Sequence, residues 1–225
     1  MDSTNLAESY ALSDFDVRHR VSFNASYELP FKGNRLVEGW QINVVEQAQT
    51  GGPFNITTNL QTITGSATVR PDLIGALPAL VKQPVLDATT GAVTSYQWFI
   101  GSGNVVCDPR TTAAANQQCT AASVFALPYN AAGVAHFGSL GRNAMIGPGF
   151  GNTDLSLIKN LKLQGSARAQ FRLEVFNLFN QANLGLPGRT AAPLSTSFGV
   201  ISNTRFPTGD SGSSRQVQFA VKFLF

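Results

Sequence analysis

Few residues in this chain have the type and spacing that chemistry requires. Gly209-Asp210-Ser211-Gly212 has the form of a turn that would present Ser211 as a nucleophile. Such a serine needs a histidine base and an orienting carboxylate beside it. The two histidines, His19 and His136, stand in no context that supports this role. Gly, Asp and Ser are also the ordinary residues of a turn between strands. Gly101-Ser102-Gly103 lacks the strand–helix setting of a phosphate-binding loop. Asp14 and Asp16 could offer oxygens to Ca²⁺, but a polar start to a strand explains them more simply. Cys107 and Cys119 have no Cys-x-x-Cys partner pair, so a metal site is not expected. Both fall in one polar stretch, which favours a disulfide over two unrelated thiols and suits an oxidising compartment. No catalytic residue, cofactor or metal is expected, and the chain reads as a non-enzyme.

Arg168, Gln170, Arg172 and Glu174 occupy alternate positions and could line a polar channel. The alternative is a ladder of charges paired across neighbouring strands. Either reading needs a strand to hold them on one face, and the surrounding residues supply it. From 166 to 175 the odd positions Ala167, Ala169, Phe171, Leu173 and Val175 are apolar, while every even position is polar. Successive side chains of a strand point to opposite faces, so this segment has one greasy and one wet side. A helix would group Phe171, Val175, Leu178 and Phe179 but throw Leu173 to the far side.

The same alternation recurs at 17–28, with Val17, Val21, Phe23, Ala25 and Tyr27 against Arg18, Arg20, Ser22, Asn24, Ser26 and Glu28. It recurs again at the end, with Val217, Phe219, Val221, Phe223 and Phe225 against Ser214, Gln216, Gln218 and Lys222. Each run could cross a bilayer as a tilted strand of ~9–11 residues. Weaker strands are expected at 38–49, 152–163 and 197–202. Turns are expected at Pro30-Phe31-Lys32-Gly33-Asn34, Gln164-Gly165-Ser166 and Thr208-Gly209-Asp210-Ser211-Gly212. Residues 51–150 show no sustained periodicity; so long a connection is improbable in a compact soluble domain but would suit the long extracellular loop region of a membrane barrel, with one strand returning within it.

Composition limits what these faces meet. Only 13% of the 225 residues are charged, against ~25% in soluble globular proteins, although the hydrophobic share is an ordinary 43%. Mean hydropathy is +0.02. Neutral polar residues replace the missing charge, as suits a barrel with lipid outside and a wet lumen. The net charge of +3 is spread without a basic run, so no nucleic-acid partner is expected. No apolar stretch is long enough for a membrane-spanning helix. Aromatic residues gather near strand ends at Tyr27, Phe31, Trp40, Phe179, Phe223 and Phe225, where a membrane barrel carries its interfacial girdle. A β-sandwich would place the same residues in a closed core, so periodicity alone leaves both folds open.

The closing strand carries a family resemblance. Val217, Phe219, Val221, Phe223 and the terminal Phe225 resemble the C-terminal signature of bacterial outer-membrane barrels. That resemblance implies recognition by the barrel-assembly machinery. Asp154-Leu155-Ser156-Leu157-Ile158-Lys159-Asn160, followed by Phe171-Arg172-Leu173-Glu174-Val175-Phe176-Asn177-Leu178-Phe179-Asn180, is similar to late strands of TonB-dependent receptors of the Oar-like subgroup. Asp16-Val17-Arg18-His19-Arg20 with Glu28-Leu29-Pro30-Phe31, and Gly39-Trp40-Gln41 with Thr50-Gly51-Gly52-Pro53-Phe54, resemble earlier pieces of the same subgroup in the same order.

The resemblance implies an all-β fold over residues 1–225, part of an antiparallel transmembrane β-barrel; the periodicity supplies about six or seven strands, so an open curved sheet is expected. It implies an outer-membrane location, lipid around the barrel, and uptake of an unknown solute. TonB and a plug domain would act through an N-terminal part. The chain departs from the family in having no plug domain, no signal peptide at Met1–Tyr10 and too few strands for a transporter of roughly 22. The expectation is that Met1 lies inside a longer chain. The connection 179–196 is also longer than the short periplasmic turns of such barrels. Two other functions stay open: a secreted β-sandwich for adhesion or glycan binding, and a passive porin-like barrel.

Overall fold

The computed structural model describes residues 6–59, 69–99, 105–111, 117–130, 132–205 and 214–225. Among these residues a 3₁₀ turn, Leu6–Ser9, precedes thirteen strands. These are β1 (Arg20–Glu28), β2 (Trp40–Gln49), β3 (Pro53–Phe54), β4 (Asp72–Leu73), β5 (Leu80–Leu86), β6 (Val93–Phe99) and β7 (Val106–Cys107). They continue as β8 (Phe125–Ala126), β9 (Met145–Ile146), β10 (Phe150–Lys162), β11 (Arg168–Phe176), β12 (Val200–Ile201) and β13 (Gln216–Leu224). Among the described residues no helix is long and apolar enough to cross a membrane, which says nothing of strands.

The chain forms two compact units. The sheet unit comprises Val17–Gly51, Gly149–Leu184 and Thr204–Phe225. It holds one antiparallel sheet in the order β1-β2-β10-β11-β13, a meander in which each strand pairs with the one before it in the unit. The sheet is open, with β1 and β13 as its two edges. Strand direction sorts the connections. Residues 29–39 and 163–167 join strands at one end, and β13 finishes there. Residues 50–149 and 177–215 leave from the opposite end.

Cross-strand partners share a face, so the register turns sequence alternation into rows. Tyr27, Ile42, Leu157, Leu173 and Phe219 lie in one row across all five strands, next to Ala25, Val44, Leu155, Val175 and Val217. The row between them, on the other face, is Ser26, Asn43, Ser156, Glu174 and Gln218. A shift of one residue in any pairing would mix these rows, so the two-faced pattern specifies the register. The apolar rows are not buried: Phe219 is 77% exposed and Tyr27 61%. A β-sandwich would cover this face, and the exposed rows contradict that alternative.

Two asparagines secure the end of the sheet from which the long connections leave. Asn183 is buried, its Nδ2 donating to the Gly151 carbonyl and its Oδ1 accepting from the Gly151 N–H, both at 3.0 Å. A side-chain amide thereby completes the ladder as a neighbouring strand would. Asn177 (φ +50°) closes a turn with Gln181 through its Nδ2 and Oδ1, and its own N–H donates to Asp154. At the short-turn end, Gly39 has φ +79° and lies against the Asn160 carbonyl, where a Cβ would come within 2.6 Å.

The loop unit comprises Met1–Asp16, Gly52–Pro148 and Gly185–Asn203. It contains all the buried apolar side chains among the described residues except Ile158, Ala169 and Leu184. Phe198 packs edge-on against Phe99 and Phe125, with ring centroids 5.2 and 5.6 Å apart. The Trp98 indole N–H donates to the Ile146 carbonyl. Gly199 (φ +77°) lets the chain turn beside the Phe99 ring, which a Cβ would approach to 2.8 Å.

Four expectations are corrected. The main sheet has five strands, not six or seven. Among the described residues of 51–150 no strand returns to the sheet before β10, which pairs directly with β2; β5 and β6 pair with each other instead. The strand expected at 197–202 is the two-residue β12, which pairs with β6 in the loop unit's own sheet of β12, β6 and β5. Its short apolar run serves a core, with Phe198 and Ile201 buried, and not a membrane face. The connection containing 179–196 leaves from the long-loop end, so it is no over-long turn at the other. The turn at 208–212 and the Gly101-Ser102-Gly103 segment lie outside the described residues.

Leu173→Arg puts a charge in the middle of the apolar face and is expected to cost about 2–4 kcal/mol. Ser156→Arg, on the polar face, should be nearly neutral. Urea titration of heat-modifiable gel mobility in detergent checks the pair, and equal effects would refute the assignment of faces. Asn183→Ala leaves the Gly151 N–H and C=O without their side-chain partner and is expected to lower stability by about 1–3 kcal/mol. The same titration reads that loss.

Candidate functional site

The polar face of the sheet collects the residues singled out for a channel. Arg168, Gln170, Arg172 and Glu174 all sit on the side opposite Phe171 and Leu173. Gln170 Nε2 donates to Asn160 Oδ1 at 2.8 Å, and Arg172 Nη1 lies 3.6 Å from Glu174 Oε1. The ion pair thus runs along one strand, while the neighbours across it are uncharged: Ser156 and Gln218 flank Glu174, and Ile158 and Ala220 flank Arg172. Gln41 Nε2 adds bonds to Ser26 and Asn43. The face is therefore a hydrogen-bonded polar lattice with scattered charges.

At the long-loop end of this face lies a cavity of about 160 Å³ lined by Arg20, Gln47, Ala48, Gln49, Phe150 and Arg205. The register explains the grouping, because Arg20, Gln49 and Phe150 are partners in one row. Arg205 is brought in by its backbone N–H, which donates to the Asn183 carbonyl at 2.7 Å. Its guanidinium stands 5.5 Å from the Phe150 ring centroid. With the Gln49 amide turned so that Oε1 faces it, Gln49 accepts from Arg205 Nη2 at 2.8 Å and Nη1 at 3.1 Å. The periodicity marked Arg20 as polar-facing, but nothing in the sequence linked it to Arg205.

The apolar face carries two charged residues, Glu46 and Lys159, and the rows between them are apolar. The Thr153 hydroxyl donates to Glu46, whereas Lys159 Nζ donates to the Glu38 carbonyl and stands 5.2 Å from the Trp40 ring centroid. Lys159 is only 6% exposed. Six residues separate Trp40 from Glu46 along β2, roughly 20 Å of strand. Polar groups at both margins of an apolar band suit side chains that reach for water from a bilayer. A groove of about 340 Å³ between Trp40, Leu157, Phe171 and Phe219 gives this face a surface that acyl chains can fill.

The C-terminal signature residues Val217, Phe219, Val221 and Phe223 lie on β13, on the apolar face. Phe225 follows that strand and is 98% exposed. Cys107 and Cys119 form a disulfide in the loop unit. Closing so short a loop contributes about 3 kcal/mol in the chain-entropy account. Beside it, Asp108 accepts twice from Arg110, which also stacks on Tyr129 at 3.7 Å. That hydrogen bond from Arg110 is the main reason the Asp108 carboxyl is held below its ordinary value, against the opposing effect of burial.

His136 Nε2 lies 2.8 Å from Asp72 Oδ2, and Ser139 donates its backbone N–H to the same carboxylate. Ser139 Oγ accepts from the Leu73 N–H. His19 lies in the sheet unit, where its backbone pairs with Thr50. Ser211 lies outside the described residues. Asp14 is engaged by Asn143 Nδ2 at 2.6 Å and Arg142 Nη2 at 2.8 Å, an arrangement that replaces a cation with protein donors. Among the described residues no group of three or more His, Cys, Asp or Glu side chains is placed to hold a metal ion.

The bond from Asn143, then that from Arg142, keeps the Asp14 carboxyl below its ordinary value. A depressed folded value means that the stabilisation is complete above the unfolded value and is lost as the pH falls through the folded one. Protease protection of residues 6–16 should therefore be constant from about pH 7 to 5 and fall below about pH 4. Because the pair is exposed, salt should weaken the effect. Asp14→Asn should reduce the acid step, and an unchanged step would refute this account.

No curated protein and no solved structure matches the chain. A family model described as an outer membrane beta barrel domain matches residues 1–218. The match covers nearly the whole sequence and agrees with the two-faced antiparallel sheet, its exposed apolar rows and its polar reverse side. The chain belongs to the outer-membrane β-barrel domain family, and its place is the bacterial outer membrane.

Proposed function

We propose that the chain is the C-terminal barrel part of a TonB-dependent outer-membrane receptor, acting in solute uptake and not as an enzyme. The observation that carries this reading is the open sheet, whose edges are β1 and β13. In hydrocarbon an unpaired backbone N–H or C=O costs several kcal/mol, so these strands work in a membrane only when further strands complete the ladder. A large barrel of the receptor kind supplies them. The order of the Oar-like resemblances along 14–225, with Phe176-Asn177-Leu178-Phe179-Asn180 at the end of β11, supports the subgroup.

In this reading the short connections 29–39 and 163–167 face the periplasm and the long ones face outward. The outward connections include the disulfide-bonded segment and would take part in solute capture. Polar residues such as Arg172 and Glu174 would meet the lumen or a plug. TonB would act through the plug domain, and the barrel-assembly machinery would engage β13.

Planar-bilayer recording of the full native polypeptide tests the proposal against a passive porin. A receptor closed by a plug should show no steady conductance until concentrated urea loosens the plug. Permanently open channels without urea would overturn the receptor reading and favour the porin.

A further inference from the structure

The cavity at the long-loop end of the polar face has a chemistry of its own. Two guanidinium groups, those of Arg20 and Arg205, border about 160 Å³ together with the amides of Gln47 and Gln49 and the ring of Phe150. Among the described residues neither arginine has a carboxylate within ion-pairing distance. The nearest carboxylate row on this face holds Asp154, which is opposite Val45, four residues along β2 from Gln49, roughly 13 Å away. Asp154 is moreover committed to Asn152 and the Asn177 N–H. Two cations on one wall with no counter-charge among the described residues form a site that favours an anion.

Size narrows the ligand. A volume of about 160 Å³ accommodates one acidic group with part of its hydration. Arg205 is already oriented, held through its backbone by Asn183 and through its guanidinium by Gln49. Three of its five N–H donors are left for a ligand after those two bonds to Gln49, and a guanidinium fork matches carboxylate or phosphate oxygens in pairs. Phe150 offers an apolar surface beside it.

We propose that this cavity is an anion subsite: Arg20 and Arg205 take the carboxylate or phosphate end of a solute that passes along the polar face. The assignment rests on the receptor reading for the identity of its ligand as a transported solute. Its test needs neither TonB nor a plug. Arg20 and Arg205 supply the charge, the glutamines orient it, and the rest of the solute extends out of the cavity.

The experiment is calorimetric titration of the full native polypeptide in detergent, at low ionic strength, with citrate, inorganic phosphate and maltose. Citrate or phosphate should bind and maltose should not, and the stronger of the two anions identifies the acidic group. Arg20→Gln and Arg205→Gln should each weaken anion binding roughly tenfold or more. Arg205→Lys should retain part of it, Lys32→Gln in the 29–39 turn should leave it unchanged, and added salt should weaken it. Heat-modifiable mobility verifies that each variant folds. No anion binding by the native protein overturns the subsite, as does binding that survives both glutamine substitutions in folded protein. Either failure leaves the bilayer test untouched, whereas open channels with intact anion binding would overturn the receptor and keep the subsite.

Discussion

Everything in the sheet unit follows from the need to pair backbone hydrogen bonds where water cannot supply partners. A strand in hydrocarbon has no solvent to satisfy its N–H and C=O groups, so it needs a neighbour on both sides. β2, β10 and β11 have such neighbours, and the ladder continues past the strands through Asn183, whose amide bonds both backbone groups of Gly151. β1 and β13 each have one neighbour. Because the backbone is committed to the ladder, side chains alone distinguish the faces, and a period of two is the only pattern that keeps one side apolar and the other polar.

The register then determines which charges are tolerated. Arg172 and Glu174 are on the polar face, where Ser156 and Gln218 complete the row of the carboxylate. Glu46 and Lys159 face the other way but stand at the margins of the apolar rows, each satisfied locally: one by Thr153, the other by Glu38 and Trp40. A charge at the margin can find water or a carbonyl at modest cost, whereas one in the middle cannot. The same logic places Trp40 beside Lys159, since an indole with a polar N–H belongs where lipid meets water; here that N–H donates to the Leu36 carbonyl.

The loop unit obeys a different constraint. Its interior is a buried apolar core, built from Phe99, Phe125, Phe198, Ile56 and Leu140, with a disulfide holding Cys107 and Cys119 together. Apart from the seven-residue β5 and β6 its strands are short, and β4, β7 and β8 contribute two residues each. Such pieces do not stand as independent strands. Long-range contacts between side chains and the cross-link hold them, so the stability of this unit depends on packing and not on a periodic ladder.

These two constraints explain what the sequence by itself determined. Alternation at 17–28, 166–175 and 214–225 specified three strands and their faces, including the common side of Arg168, Gln170, Arg172 and Glu174, because membrane strands must repeat every two residues. The turns at 30–34 and 164–166 were legible from glycine, proline and asparagine for equally local reasons. The core of 52–148 was not legible: Phe99 meets Phe198 across a long stretch of chain, and no local period records that contact. The short apolar run at 197–202 looked like one more strand of the sheet, and only its pairing with β6 showed otherwise. Arg20 and Arg205 carry no motif between them either. Tertiary structure alone decided their meeting, because the β1–β2 register and the backbone bond from Arg205 to Asn183 are both made by residues far apart in the chain.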